Sequence, residues 1–301
     1  MSRVLLLDYL SYEILTDENQ RTIMATSIQP IPFRYPGGKF YAVKYLRRFW
    51  SNLEHVDYRE PFVGGGTIFF NKEKVKYNWL NDVDDELITT YKVMKSTAKR
   101  QELIERVSAE IASRERWQEV RDFKPTTDVD VAYKYYYLNR TSFSGKLSSA
   151  AWGYRPKRSV PPERWHEKLT PCGNRLKGVK ITHGDFQKVI TAPPRGCSEK
   201  DVLLYVDPPY FSPPKKKHYR AGFNDDDHVR LADLLQKTKF KFFLTYDDTP
   251  EIREMYDWAF LYDIEFIYRV ENSKYNNGQR RNGVELVITN YELTEQTLLW
   301  N

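Results

Sequence analysis

The chain has 301 residues, of which 41% are hydrophobic and 29% charged, so disorder over most of its length is excluded and one large globular domain with an insertion is favoured. Its 47 Lys and Arg against 41 Asp and Glu give a formal net charge of +6, which favours a polyanionic partner without requiring one. The two cysteines, Cys172 and Cys197, are too few for a disulfide framework, and we expect reduced thiols in a cytoplasmic protein.

The first 32 residues are interpreted as an N-terminal extension. Their short apolar patch, residues 4–7, is interrupted at once by Asp8. Such a patch is too short for the apolar region of a signal peptide or for a membrane span. The sequence therefore predicts no export and no membrane partner.

Strand, loop and helix signals alternate through the first half of the chain, which is α/β patterning. In order they are a strand at 58–62, a glycine turn at 64–66, a helix opened by Thr67 and a strand at 78–80. Residues 85–94 and 101–111 then carry apolar side chains at helical spacing, which predicts two surface helices.

From about residue 139 to residue 178 small, basic and aromatic residues alternate without a lasting period, and we interpret this stretch as an inserted, loop-rich subdomain. Strand signals return at 179–181, 202–206, 240–244, 264–270 and 284–289. The run 202–206 is apolar on both faces, as a central parallel strand requires. The last two strands predict an antiparallel hairpin that closes the sheet edge.

An Asp-Pro-Pro-Tyr tetrapeptide starting at Asp207 directly follows that apolar run. Ligands of open α/β sheets bind at the carboxyl ends of the strands, and the two prolines stiffen the loop and remove backbone donors. The Asp207 carboxylate and the Pro208 carbonyl can accept both hydrogens of an exocyclic amine, and Tyr210 can stack on a base. A proline turn that ends a strand explains the tetrapeptide alone equally well.

Two glycine turns lie upstream. Glu60 opens the segment EPFVGGGT, whose glycines allow a ligand to approach the backbone, although it matches neither a dinucleotide motif nor a P-loop. Asp82, after the next strand, is placed either to accept hydrogen bonds from ribose hydroxyls or to cap a helix. The turn at 37–38 either brings Tyr35 and Lys39 over a ligand or simply precedes a helix.

These motifs, taken in order, resemble the D12 class of DNA adenine methyltransferases over residues 33–291. Residues 34–39 resemble the first motif of that family, 60–67 its methionine-binding loop, Asp82 its ribose-binding acid and 207–210 its catalytic motif. Their order is that of the alpha group. The resemblance implies an α/β, Rossmann-like methyltransferase fold with a mostly parallel seven-stranded sheet, an antiparallel C-terminal strand and an inserted target-recognition subdomain.

The resemblance also implies the reaction: S-adenosyl-L-methionine as cofactor, and the N6 of an adenine flipped out of double-stranded DNA as acceptor. The implied catalytic residues are Asp207, Pro208, Pro209 and Tyr210. The implied cofactor-binding residues are Tyr35, Lys39, Glu60, Phe62, Gly64, Gly66, Asp82, Asp185 and Asp207. Residues 245–248 resemble the polar strand end near the target base. No metal is expected, since the sulfonium activates the methyl group and the five histidines have no ligand spacing.

The catalytic domain is expected at 33–95 and 179–301, with the insert at 96–178. Candidate DNA contacts, mostly to phosphate, are Asn139, Arg140, Lys146, Arg155, Lys157, Arg158, Lys217, Arg220 and Arg280. Residues 151–165 do not look like the corresponding stretch of GATC-specific members, so GATC is only one possible target. A cognate restriction endonuclease is a possible functional partner, without stable binding.

Three alternatives compete with this interpretation. The acceptor could be the N4 of cytosine or an adenine in RNA, although the cytosine enzymes usually carry Ser in place of Asp207. The chain could bind DNA without catalysis, against which the intact Lys39, Asp82 and Asp207 argue. A nicotinamide-dependent dehydrogenase does not fit the spacing of the glycines.

Overall fold

The computed structural model describes residues 29–35, 37–147, 150–211, 223–267 and 282–294. Seven strands of this part of the chain form one sheet. They are β1 (Asp57–Glu60), β2 (Tyr77–Asp82), β3 (Lys180–His183), β4 (Val202–Val206), β5 (Lys241–Asp247), β6 (Phe260–Ile267) and β7 (Asn282–Thr289). Their spatial order is β3-β2-β1-β4-β5-β7-β6. The pairs among β1 to β5 are parallel, whereas β7 runs antiparallel to both β5 and β6. The predicted sheet is confirmed.

The run 202–206 forms the centre of the sheet, as its sequence predicts. β4 lies between β1 and β5, and every residue in it is buried. Its alternate side chains enter different cores: Leu203 and Tyr205 pack on one face of the sheet, and Val202, Leu204 and Val206 on the other. A strand covered on both faces must be apolar at every position, which is why this run shows no polar alternation.

Ten helices of the described residues cover the two faces of the sheet. They are α1 (Val43–Leu46), α2 (Thr67–Asn71), α3 (Asp85–Lys95), α4 (Thr97–Ser108), α5 (Arg114–Asp122), α6 (Asp128–Thr141), α7 (His166–Arg175), α8 (Gln187–Thr191), α9 (Asp225–Lys237) and α10 (Pro250–Met255). Apolar residues of α1 to α7 share one core, and those of α8 to α10 share the other. The sequence interpretation starts the insert at residue 96, but the packing shows no domain boundary there, because α4 to α7 pack with α3 on the same face of the sheet.

Two details of the sequence interpretation need correction. α3 is a core helix rather than a surface helix, since Leu87, Ile88 and Tyr91 are fully buried. α7 lies inside the stretch interpreted as loop-rich. Its Pro171 would ordinarily interrupt a helix. The helix nevertheless buries Leu169 and Cys172 in the core, and it packs so closely that a Cβ on Gly173 would lie 2.4 Å from the Met94 carbonyl oxygen.

The C-terminal hairpin is present as predicted, with β6 and β7 paired from Phe260 and Thr289 to Ile267 and Asn282. The segment that joins these strands, residues 268–281, lies outside the described residues, as do residues 1–28 of the N-terminal extension. Within the described part of the chain, no helix combines the length and apolarity needed to cross a membrane.

Candidate active site

The site lies where the order of the sheet reverses. β1 is followed in sequence by β2 and β3 on one side, and the chain then returns to β4 on the other side of β1. The loops after β1 and β4 diverge at such a point and leave a crevice at the carboxyl edge of the sheet. β1 ends in Glu60, β2 ends in Asp82, and Asp207 follows β4 directly.

The glycine loop after β1 packs against Tyr35. Gly64 and Gly66 have φ angles of 45° and 66°, in the left-handed region that favours glycine. A Cβ on Gly64 would lie 2.9 Å from Cε1 of Tyr35, and a Cβ on Gly65 would lie 2.9 Å from Cβ of Tyr35. The loop therefore needs glycine both for its backbone conformation and for the close approach of the Tyr35 ring.

Asp82 ties the end of β2 to this loop. Its carboxylate accepts hydrogen bonds from the backbone N–H groups of Gly64 at 2.9 Å and Asp84 at 3.0 Å. Burial raises the pKa of the Asp82 carboxyl to about 6, while these N–H groups act in the opposite direction. Asp82 is thus fixed in place, and it is ionised at neutral pH.

Glu60 is a second buried acid at the edge of the sheet. Tyr58 donates a hydrogen bond of 2.5 Å to Oε1 of Glu60, whereas Oε2 has no partner among the described residues. Burial raises the pKa of Glu60 to about 8, so the carboxyl is mostly protonated at neutral pH before any ligand binds. A buried polar atom without a partner is unusual in a folded protein. Because Glu60 ends β1 at the carboxyl edge of the sheet, this oxygen is placed to accept from a ligand in the crevice.

Lys39 connects the first motif to the tetrapeptide. Its buried ammonium lies 2.8 Å from Oδ1 of Asp207 and donates hydrogen bonds to the Tyr210 hydroxyl at 2.6 Å and the Gly37 carbonyl at 3.2 Å. Burial alone would lower the pKa of Lys39, but Asp207 and Glu285 outweigh it and raise that pKa well above its usual value. Lys39 is therefore a permanent cation beside the tetrapeptide.

The two oxygens of Asp207 have different surroundings. Oδ1 accepts from Lys39 and from the Thr245 hydroxyl, both at 2.8 Å. Oδ2 has no hydrogen-bond partner in the described part of the chain, and the side chain is 22% exposed. One oxygen thus anchors the carboxylate, and the other is available to a ligand.

Tyr210 is held from two sides. Its ring lies 4.7 Å from the Lys39 ammonium, and its hydroxyl donates a 2.7 Å hydrogen bond to Oε1 of Glu285 on β7. The sequence interpretation missed Glu285, although an acid in the apolar run that ends β7 is a recognisable signal, because an ionisable group inside a buried strand needs a partner.

The sequence profile described as D12 class N6 adenine-specific DNA methyltransferase matches residues 35–271, most of the chain, including the glycine loop and the tetrapeptide. The chain belongs to this family. Its reaction is therefore the transfer of a methyl group to the N6 of adenine in DNA, and membership of the family implies a methyl donor.

Curated relatives agree with this assignment. The type II methyltransferase M.CviBI of Paramecium bursaria Chlorella virus NC1A is 28% identical over 268 residues, which cover 86% of this chain and 98% of that protein. M.MjaIII of Methanocaldococcus jannaschii, also a type II methyltransferase, is 30% identical over 208 residues, 60% of this chain and 68% of that protein. A solved precorrin 8w decarboxylase from Methanobacterium thermoautotrophicum covers 88% of this chain and all of its own at 10% identity, with a TM-score of 0.40, too low to support an argument.

A cluster of aromatic rings begins at Phe62, just before the glycine loop of this D12 methyltransferase. Phe62 stacks on Phe186 with 5.1 Å between the ring centroids. Asp185 is half-exposed and paired with Arg230, whose two terminal nitrogens reach its two oxygens at 2.9 Å and 2.8 Å. The Arg230 hydrogen bonds lower the pKa of Asp185, which is therefore an anion at the rim of the cluster.

Two of the candidate DNA contacts are corrected by the structure. Asn139 is 1% exposed, and its side-chain amide accepts from the Arg34 N–H at 3.0 Å and donates to the Arg34 carbonyl at 2.7 Å. Arg140 is also buried, at 8% exposure. The Asn139 side chain and the Arg140 carbonyl, which accepts from the Arg34 guanidinium at 2.5 Å, hold the end of α6 against the first motif of this methyltransferase, and neither side chain lies on the exposed surface.

The remaining candidates divide between surface residues and residues outside the description. Arg155, Lys157 and Arg158 are exposed, and Lys146 is half-exposed. Lys217, Arg220 and Arg280 lie outside the described residues.

Proposed function

We propose that this methyltransferase takes its methyl group from S-adenosyl-L-methionine and transfers it to the N6 of an adenine flipped out of double-stranded DNA. The observation that carries the proposal is the divided carboxylate of Asp207. Lys39 and Thr245 hold Oδ1, and Oδ2 remains available in a crevice at the carboxyl edge of the sheet.

The residues around the crevice fit this donor. The glycine loop, packed against Tyr35 without side chains of its own, lets a ligand approach its backbone, and Asp82 is an anion fixed at the end of the neighbouring strand, suited to two ribose hydroxyls. The unpartnered Oε2 of Glu60 is suited to the amino group of a methionine moiety. Phe62 and Asp185 offer a flat apolar surface and an acceptor for an adenine ring.

When bound, S-adenosyl-L-methionine supplies a methyl group made electrophilic by the positive charge on sulfur. The acceptor amine is a poor nucleophile, because its lone pair is delocalised into the purine ring. Oδ2 of Asp207 and the carbonyl of Pro208 accept its two hydrogens and direct the lone pair toward the methyl group. The Tyr210 ring, fixed by Lys39 and Glu285, stacks on the extracted base.

DNA is held by the basic surface of the insert. We assign phosphate contacts to Arg155, Lys157 and Arg158, which are exposed, and to the half-exposed Lys146. Lys217, Arg220 and Arg280 stay in the proposal on sequence grounds. The division into a catalytic domain at 33–95 and 179–301 and a recognition insert at 96–178 is likewise proposed on function, because the packing is continuous across residue 96.

A role in restriction and modification is a second part of the proposal. Two relatives, M.CviBI and M.MjaIII, carry the name type II methyltransferase. We infer that a cognate endonuclease reads the same DNA sequence as this chain and that no stable complex between them is needed.

The test uses the purified chain, S-adenosyl-L-methionine tritiated in its methyl group, and unmethylated double-stranded DNA, single-stranded DNA or RNA as separate substrates. The products are digested to nucleosides and separated. Label in N6-methyldeoxyadenosine from the duplex is the expected result. Label in N4-methyldeoxycytidine, label mainly in RNA, or no transfer at all would refute the proposal.

A further inference from the structure

Glu285 is a charged residue in a strand that is otherwise built for the core. It lies on β7, opposite Asp247 of β5, and is 3% exposed. The next three residues, Leu286, Val287 and Ile288, are fully buried. A carboxylate in such surroundings loses more hydration energy than an ordinary ion pair returns, so its presence is not explained by stability.

The contacts of Glu285 all lead to the active site. Oε1 accepts the hydrogen bond from the Tyr210 hydroxyl at 2.7 Å and lies 3.4 Å from the Lys39 ammonium. Oε2 is buried and has no hydrogen-bond partner among the described residues. Burial and the negative charge of Asp207 raise the pKa of Glu285, while Lys39 acts in the opposite direction.

One ammonium is thus shared by two carboxylates. Lys39 lies 2.8 Å from Asp207 and 3.4 Å from Glu285, so the buried group carries a net charge of −1 when both acids are ionised. During methyl transfer the bond from the methyl group to the donor sulfur breaks as the bond to the acceptor nitrogen forms, which leaves a neutral thioether. Positive charge moves from the sulfur to the nitrogen, and the nitrogen then releases one of its hydrogens to water as a proton. A fixed negative charge beside that path stabilises the transition state, because the groups need no reorganisation.

We propose that Glu285 is a positioning residue for methyl transfer, which fixes the Tyr210 hydroxyl and shares Lys39 with Asp207 so that Asp207 keeps its negative charge toward the acceptor amine. This inference rests on the proposed function of the same site. Without Glu285, Lys39 pairs with Asp207 alone and reduces its strength as an acceptor.

Glu285→Gln removes the negative charge of the side chain and keeps its size and shape. The amide keeps an oxygen for the Tyr210 hydroxyl but loses the second negative charge beside Lys39. We expect the single-turnover rate of methyl transfer to fall about tenfold or more, with dissociation constants for S-adenosyl-L-methionine and DNA within about threefold of the wild type. Glu285→Ala should be slower still. Tyr210→Phe should cost less in the Glu285→Ala background than in the wild type, because the bond that orients the hydroxyl is already absent.

Asp57→Asn is the matched control. Asp57 is also fully buried, is paired with a cation, Arg59, at 2.7 Å, and has one oxygen without a partner, but it lies at the amino end of β1. We expect this variant to keep the wild-type rate at temperatures where it is folded. A rate for Glu285→Gln within twofold of the wild type would overturn the inference, as would a loss confined to donor affinity or an equal loss in Asp57→Asn.

The proposed function and this inference fail in different ways. A wild-type chain that transfers no methyl group refutes the proposed function, whereas an active wild type with an equally active Glu285→Gln refutes only the role of Glu285. Thermal unfolding shows whether each variant is folded. If Glu285→Gln does not fold, Tyr210→Phe removes the same bond from the other side, and a wild-type rate in that variant would overturn the inference.

Discussion

Replacing Asp207 with Asn, a change of a single atom, should be as damaging as replacing it with Ala. Lys39 has only donors, and it lies 2.8 Å from Oδ1 of Asp207. The oxygen of an Asn side chain must therefore occupy the Oδ1 position and place its NH₂ group where Oδ2 now lies. That NH₂ group would face the amino group of the target adenine, donor against donor.

The size of the loss follows from the interaction removed. Loss of one preorganised hydrogen-bonding group at a reacting centre costs about 10² to 10³ in kcat, or about 2.7 to 4 kcal/mol. In Asp207→Asn, repulsion between the side-chain NH₂ group and the amino group of the adenine adds to that cost. We expect both Asp207→Asn and Asp207→Ala to lower the single-turnover rate constant of methyl transfer at least about 10²-fold.

The assay is single-turnover transfer of a tritiated methyl group to saturating duplex DNA. Binding of S-adenosyl-L-methionine, measured by calorimetry, and thermal unfolding serve as controls for the integrity of the site. A single-turnover rate constant for Asp207→Asn above about one tenth of the wild type, with Asp207→Ala much slower, would show that Oδ2 does not accept from the amine, and would refute the reasoning.

Three further predictions concern the binding of the methyl donor, S-adenosyl-L-methionine, and of DNA. The affinity for S-adenosyl-L-methionine should fall more steeply below about pH 6 than above it, by about one further factor of ten per pH unit, as the Asp82 carboxylate protonates; calorimetry on Asp82→Asn should show weaker binding without this added steepness, and the same steepening in both chains would contradict the role of Asp82. Gly64→Ala should weaken donor binding about tenfold or more, whereas Gly178→Ala, at φ 76° with nothing within 4 Å of the added Cβ, should leave binding unchanged; equal effects would contradict the clash with Tyr35. Replacing Arg155 and Lys157 with Ala should reduce the salt dependence of DNA binding, measured by titration in increasing salt, by about one unit of slope per residue without changing donor affinity; an unchanged slope would exclude phosphate contact.

Local signals in the sequence were sufficient for the sheet and the main motifs. The run 202–206 is apolar at every position because both of its faces are covered, and a central strand can be recognised from that feature alone. The glycine loop and the tetrapeptide follow their strands directly, so the strand order also places Gly64, Asp82 and Asp207 at one edge of the sheet.

Contacts between distant segments could not be predicted in the same way. Asn139 and Arg140 occur in a polar, basic stretch of sequence, yet the first motif, about a hundred residues earlier, covers them. Glu285 joins the site only because β7 inserts between β5 and β6, which is a property of the whole sheet. Helix α7 forms despite Pro171 and packs in the core, where its Gly173 fits closely against α3 and Arg100, a contact that no local pattern predicts.

The most direct test of the central claim is sequencing that reads N6-methyladenine, applied to DNA from cells that lack adenine methylation of their own and express either the wild-type chain or Asp207→Asn. The account predicts N6-methyladenine at one defined DNA sequence with the wild type and none with the variant. Unmodified adenine with a folded wild-type chain, or equal modification by both chains, would contradict it.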